Sequence, residues 1–207
     1  MGSISIRFDP LMPENVPTYV RSKCAVFRYT ADPYGGLSNM AGGYPLVVNG
    51  LHYLTSEHLY QCFRFPKCLE AQQRTMARKS PMGAKMAGKP YRKDHSRKDW
   101  QDVRVDVMRF CLRVKLAQHR KTFGDLLLST GQKPIVEESH KTDFWATKAT
   151  ATDVNVLEGE NNLGILLVAL REEFRALNPT DDYVVAPLSI PNFTLMGKPV
   201  PTVTANG

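Results

Sequence analysis

Asp99 to Ala117 reads DWQDVRVDVMRFCLRVKLA, in which the apolar residues Trp100, Val103, Val107, Phe110 and Val114 recur at steps of three and four. That spacing collects them on one face of a helix and leaves a basic face opposite. A helix with so broad an apolar stripe needs partners, and the flanking sequence supplies them. Upstream, Thr55 is placed to cap a helix carrying Leu59, Cys62 and Phe63, which Pro66 stops, and Ser80-Pro81 opens another with proline at its first position. Between Tyr44 and Tyr53 two β-prone runs flank Asn49-Gly50, a strong hairpin signal. Downstream, Phe123 to Leu128 reads as a short helix ended by Thr130-Gly131, and Pro134 to Val136 as a brief strand. From Asn162 the series Leu163, Leu166, Leu167, Leu170 and Phe174 gives the last strong helix. The fold class expected is α+β, a mainly helical single domain with a small β-hairpin or sheet element. It is expected over residues 25–178, after an extended lead-in over 1–24 with Pro10, Pro13 and Pro17. A Pro-rich, irregular tail over 179–207 follows, its helices broken by Pro187, Pro191, Pro199 and Pro201.

A chain of 207 residues, 43% hydrophobic and 23% charged, fits one domain with its own core. Cys24, Cys62, Cys68 and Cys111 form no CxxC pair and have no histidine at zinc-ligand spacing, so reduced thiols, no metal and no cofactor are expected. No apolar run approaches the roughly 20 residues that span a bilayer, and no signal segment opens the chain. An intracellular protein is expected, cytoplasmic or nuclear, with no membrane partner. Nothing in the sequence fixes an oligomeric state. From Arg74 to Lys121 there are fifteen Lys or Arg against four acids, an excess larger than the +7 of the whole chain. Such a zone suits a phosphate-bearing ligand, a nucleotide diphosphate or a nucleic-acid backbone, or else is a solvated basic helix surface.

Chemistry-bearing residues fall in five places, each with a plain structural alternative. Tyr34-Gly35-Gly36-Leu37-Ser38-Asn39 is a loop whose backbone can approach a ligand, or simply a turn. Glu57 and His58 open a helix, where an acid also serves the dipole and a histidine is often structural. Lys85 lies among small and apolar residues; partial burial would make it a nucleophile, and otherwise it contacts a phosphate or reaches solvent. Trp100 begins the apolar stripe and is equally a core residue. The run Glu137 to Trp145 is dense in acids and aromatics, and Gly159 to Gly164 makes a helix cap whose free amides can bind an anion.

Their order carries more than any one of them. Gly36-Leu37-Ser38-Asn39, then Thr55-Ser56-Glu57-His58 with Tyr60-Gln61 and Phe65, then Ser80-Pro81 with Ala84-Lys85 and Gly88, then Trp100 with Arg104 and Met108, resembles the NADAR (YbiA-like) family. The resemblance continues through Leu126 to Gly131, Glu137, Asp143 with Trp145, and Asn162-Leu163-Gly164 with Arg171, covering Phe27 to Phe174. It implies helices around a small β element and an enzyme cleaving N-glycosidic bonds. The substrate it implies is ADP-ribose on the amino group of guanine, in nucleic acid or nucleotide. A YbiA-like branch instead hydrolyses ribosylamino-pyrimidine phosphates of riboflavin biosynthesis. Glu57, Trp100 and Asp143 match positions that are catalytic or ligand-gripping in the family. Two departures stand out: Ala146-Thr147-Lys148 replaces a Gly-acidic-Gly run, and Lys85 stands where the YbiA branch tends to carry Arg.

Cleaving a bond from the anomeric carbon to nitrogen develops positive charge on the ribose and requires a proton for the departing amine. Glu57 and Asp143 are the expected carboxyl pair, in either division of roles, and Lys85 offers a second route by Schiff-base formation. Substrate contacts are expected from Phe27, Tyr34, Leu37, Ser38, Asn39, Trp100, Trp145, Asn162 and Gly164, with Arg104 and Arg171 meeting the diphosphate. The rival reading is a non-catalytic module binding ADP-ribose or nucleic acid, which needs the basic zone and the aromatic loop but no acid pair.

Overall fold

The computed structural model describes residues 16–140, 144–178 and 180–206. In chain order the elements are β1 (Thr18–Val20), β2 (Ala25–Phe27), the hairpin β3 (Leu46–Val48) and β4 (Leu51–Tyr53), and helices α1 (Ser56–Phe63), α2 (Leu69–Met76), α3 (Pro81–Ala87), α4 (Arg92–His95), α5 (Trp100–Gln118) and α6 (Thr122–Ser129). There follow β5 (Ile135–Glu137), β6 (Lys148–Ala149), β7 (Val156–Glu158), α7 (Asn162–Ala176) and the small pair β8 (Thr194–Leu195) and β9 (Lys198–Pro199). The architecture is the mainly helical α+β domain expected. No helix among the described residues is long and apolar enough to cross a membrane.

The stripe Val103, Val107, Phe110 and Val114 of α5 is buried against Leu59 and Phe63 of α1 and Leu163, Leu166 and Leu170 of α7. Asn49 and Gly50 turn the hairpin with φ of 56° and 70°, the left-handed pair that a tight two-residue loop demands. Ser80 caps α3 by accepting from the Gly83 amide. Several elements leave no mark in the periodicity: α2, β1 with its partner β7, and the parallel pairing of β2 with β5. The lead-in supplies β1, whose Thr18–Val20 pairs antiparallel with Val156–Glu158. After residue 179 the backbone is mostly irregular but closely packed: the Phe193 ring stacks on Phe63 at 4.4 Å, and Leu195 and Val203 are fully buried.

One junction sets the geometry of the site. The β5 strand is gripped between β2, where Phe27 registers with Glu137, and the start of α7. There Asn161, at a left-handed φ of 52°, donates to the Ile135 carbonyl and accepts from the Glu137 amide. Gly164 lies so close that a Cβ would meet the Ile135 carbonyl oxygen at 2.0 Å. Gly164→Ala must therefore push α7 and β5 apart, and a loss of about 1–3 kcal/mol is expected, read as a lowered Tm. An unchanged Tm would show that this junction yields without cost.

Candidate active site

A cleft of about 280 Å³ opens between α1, α3, the start of α5 and the end of β5. Glu57, Gln61 and Arg64 reach it from one side of α1, because positions four and seven residues on from Glu57 share its helix face. Glu57 is 3% exposed; Asn39 donates to Oε2 at 2.6 Å and Gln61 to Oε1 at 2.8 Å. The Glu57 amide in turn donates to the Asn39 carbonyl at 2.9 Å, so loop and helix lock each other. Burial pushes the Glu57 carboxyl up, while Lys85, the N–H groups of Gln61 and Asn39, and Arg92 draw it back.

Across the cleft, Glu137 is a second carboxyl. Burial and the neighbouring Glu57 push it up to about 7, against the pull of Lys85. The two acids and the lysine thus act on one another electrostatically. Arg64, Arg92 and Arg104 line the same cleft. Burial, then repulsion from Arg92 and from Arg104, hold Arg64 below its ordinary value, with Tyr60 opposing. Among the described residues Arg92 Nε, Arg104 Nε and Gln61 Oε1 are buried without a hydrogen-bond partner. Three guanidiniums lining one cleft are a place for an anion. The wall is aromatic: Tyr60 packs on Trp100 at 5.0 Å and on Trp145 at 5.9 Å, and Arg104 lies over the Phe144 ring. Among the described residues there is no group of three or more His, Cys, Asp or Glu arranged to hold a metal.

Of the residues singled out by sequence, Glu57, Lys85, Asn39, Trp100, Arg104 and Trp145 meet in this cleft. Asp143 lies outside the described residues. The others stand behind it, for physical reasons. Phe27 is a buried strand residue that registers Glu137, and Tyr34 and Leu37 pack into the core beneath the loop. Ser38 is buried, its hydroxyl accepting from the Met40 amide. Asn162 ties the Phe144 carbonyl to α7, and Gly164 is a packing glycine. Arg171, expected at a diphosphate, is 2% exposed and donates to the Thr130 hydroxyl and the Lys133 carbonyl. Lys85 is exposed, so it lacks the partial burial that would make it a nucleophile and matches the alternative of a side chain that contacts a phosphate or reaches solvent. Sequence reasoning gave no role to Glu137, Arg64, Arg92, Tyr60 or Gln61. The α1 residues are within reach, since their spacing from Glu57 is helical; Glu137 stands in the resemblance and heads the acid-rich run, but local sequence marks it only as an acid ending an apolar strand.

Paired carboxyls facing a cationic, aromatic-walled cleft suit hydrolysis at a sugar carbon. The family model for the NADAR domain matches residues 26–175. The chain is 34% identical to the N-glycosidase YbiA of Escherichia coli over 166 residues, 79% of this chain and 96% of that one. It is 30% identical to an N-glycosidase of Nostoc punctiforme, covering 70% of this chain and 88% of the relative. A riboflavin biosynthesis protein of Vibrio vulnificus is 31% identical over 74% of this chain, which spans 40% of that longer protein. The NMR structure of Escherichia coli YbiA superposes with a TM-score of 0.62 at 32% identity, covering 76% of this chain and 88% of that one. The chain belongs to the NADAR family. Its reaction class is accordingly hydrolysis of N-glycosyl bonds.

Proposed function

We propose that this N-glycosidase removes ADP-ribose from the amino group of guanine in ADP-ribosylated nucleic acid or nucleotide. The observation that carries the reading is the grouping of Glu57 and Glu137 with Arg64, Arg92 and Arg104 around one aromatic-walled cleft. In this reading Glu57, supplied with N–H donors from Asn39 and Gln61, is the carboxylate that stabilises the developing ribosyl cation. Glu137, its carboxyl held up to about 7, keeps a substantial protonated fraction at neutral pH to supply the departing guanine amine. The guanidiniums take the diphosphate, and Trp100 or Trp145 stacks on a ring. Asp143 remains a proposed further acid of the same site.

A second reading, hydrolysis of a ribosylamino-pyrimidine phosphate, is favoured by relatives named as riboflavin biosynthesis proteins. Its smaller substrate offers one phosphate to the same arginines. Incubation with guanine-ADP-ribosylated DNA is expected to release free ADP-ribose and restore unmodified guanine. No release, together with turnover of the pyrimidine compound, would overturn the first reading in favour of the second.

Lys85 provides a covalent variant of the route. Once it has given up a proton to solvent, the exposed Lys85 amine adds to C1 of the ring-opened sugar, the C1–N bond to guanine breaks as the leaving nitrogen takes up a proton, and water then hydrolyses the lysine imine. Borohydride is expected to trap this imine in the wild type and not in Lys85→Ala. An active Lys85→Ala enzyme with no adduct in the wild type would return Lys85 to holding phosphate.

A further inference from the structure

The basic face of α5 contains one residue that does not belong to a solvated surface. Lys115 is 1% exposed, and none of its described hydrogen bonds or ion pairs is to a carboxylate. Its Nζ donates to the carbonyls of Gly36 at 2.6 Å and Ser38 at 3.1 Å, and sits 4.3 Å from the centroids of both the Tyr44 and Phe123 rings. Burying a lysine without a counter-charge is costly, because burial pushes its amine well below the ordinary value, and a methionine of similar length would fill the space without that cost. Both hydrogen bonds made in return go to one turn. That turn is also closely packed, since a Cβ on Gly36 would lie 2.6 Å from Leu126 and 2.8 Å from the Tyr44 hydroxyl. The residue that follows it is Asn39, whose carbonyl and side-chain amide both bind Glu57.

We propose that Lys115 is a positioning residue for the cleft: by holding the Gly36 and Ser38 carbonyls it fixes Asn39, and through Asn39 it sets the orientation and ionisation of Glu57. The inference rests on Glu57 acting in the cleft. Lys115 itself touches neither substrate nor the reacting atoms. A lysine that merely filled space would influence stability and leave the Glu57 carboxyl alone.

The test follows the Glu57 carboxyl by 13C NMR titration in the full chain without substrate, in the wild type, Lys115→Met, Asn39→Ala and the double variant. Lys85, Arg92 and Glu137, the other charges acting on Glu57, stay in place throughout. An N–H donated to a carboxylate favours its ionised form, so losing or misaligning the Asn39 bond is expected to move the midpoint up by about 0.5 pH or more. Lys115→Met and Asn39→Ala shift it in the same direction, and the double variant shifts it no further than Asn39→Ala. On whichever N-glycoside the wild type cleaves, Lys115→Met is expected to lower kcat about tenfold or more with KM held within about threefold. If Lys115→Met does not fold, Lys115→Gln, which keeps one amide donor, takes its place in the cycle. An unmoved Glu57 midpoint in either single variant, or shifts that add in the double, overturns the proposal. Asn39→Ala alone decides the second link, whatever happens at position 115. The titration needs no substrate, so inactivity of the wild type on ADP-ribosylated guanine would count against the substrate reading and not against this one.

Discussion

Replacing Glu57 by Gln is expected to lower turnover by about 10²–10⁴ while the affinity for ADP-ribose changes only a few-fold. Glutamine keeps the length and one acceptor oxygen for Asn39, while its new NH2 can donate to the otherwise unpartnered Oε1 of a turned-over Gln61 amide, so the Asn39 loop and α1 remain joined. What is lost is a charge in a buried place, where attraction to a developing ribosyl cation counts for far more than in water. Binding depends on the arginines and the aromatic wall, which the substitution does not touch. Stability gives an independent check. Burial holds the Glu57 carboxyl above its ordinary value, so its ionisation opposes folding, and Glu57→Gln is expected to melt no lower than the wild type at neutral pH. Steady-state kinetics, calorimetry with ADP-ribose and a thermal melt measure these effects. Near-normal turnover in a folded variant would remove Glu57 from the chemistry.

How much of this site could be read from sequence depends on the length of the element bearing each residue. The α5 helix, at 19 residues, declares itself through Trp100, Val103, Val107, Phe110 and Val114, and the hairpin through Asn49-Gly50. Glu57 follows from Thr55 at the N-cap position of α1, although the Thr55 hydroxyl pairs with the His58 ring and caps no helix amide, and Trp100 and Arg104 follow from the first turns of α5. The carboxyl opposite Glu57 was harder to see. Glu137 is placed by a three-residue strand in parallel register with Ala25–Phe27, a pairing more than a hundred residues apart in the chain. Three residues have no period to read, and a parallel partner leaves no local turn to mark it. Arginines on helices were also indistinguishable. Arg104 and Arg171 both follow apolar positions, yet one lines the cleft and the other is turned inward on Thr130 and Lys133. Lys115 was counted with the basic surface for the same reason: helical phase near the end of α5 predicts a side, whereas α6 and the Gly36 turn close over that side.

Glu137→Gln is expected to cut turnover by about 10²–10³ and to remove the alkaline arm of the pH profile. In the wild type the protonated fraction of Glu137 falls as pH passes about 7, so kcat/KM, which reports the free enzyme's ionisations, should fall about tenfold per pH unit above that point. Glutamine does not titrate, and the residual rate of the variant should run flat across the same range. The folded value lies above the ordinary 4.5, which means the folded state favours the protonated form. The stability this contributes is fully present below about pH 4.5 and is lost as pH rises through about 7, so wild-type Tm should fall relative to Glu137→Gln between pH 5 and 8. The cause can be separated as well. Because the Glu57 charge contributes to raising Glu137, Glu57→Gln should lower the Glu137 midpoint, while Lys85→Ala, which removes an opposing cation, should raise it. An alkaline arm that persists in Glu137→Gln would assign the proton to another group, with Asp143 the first to test.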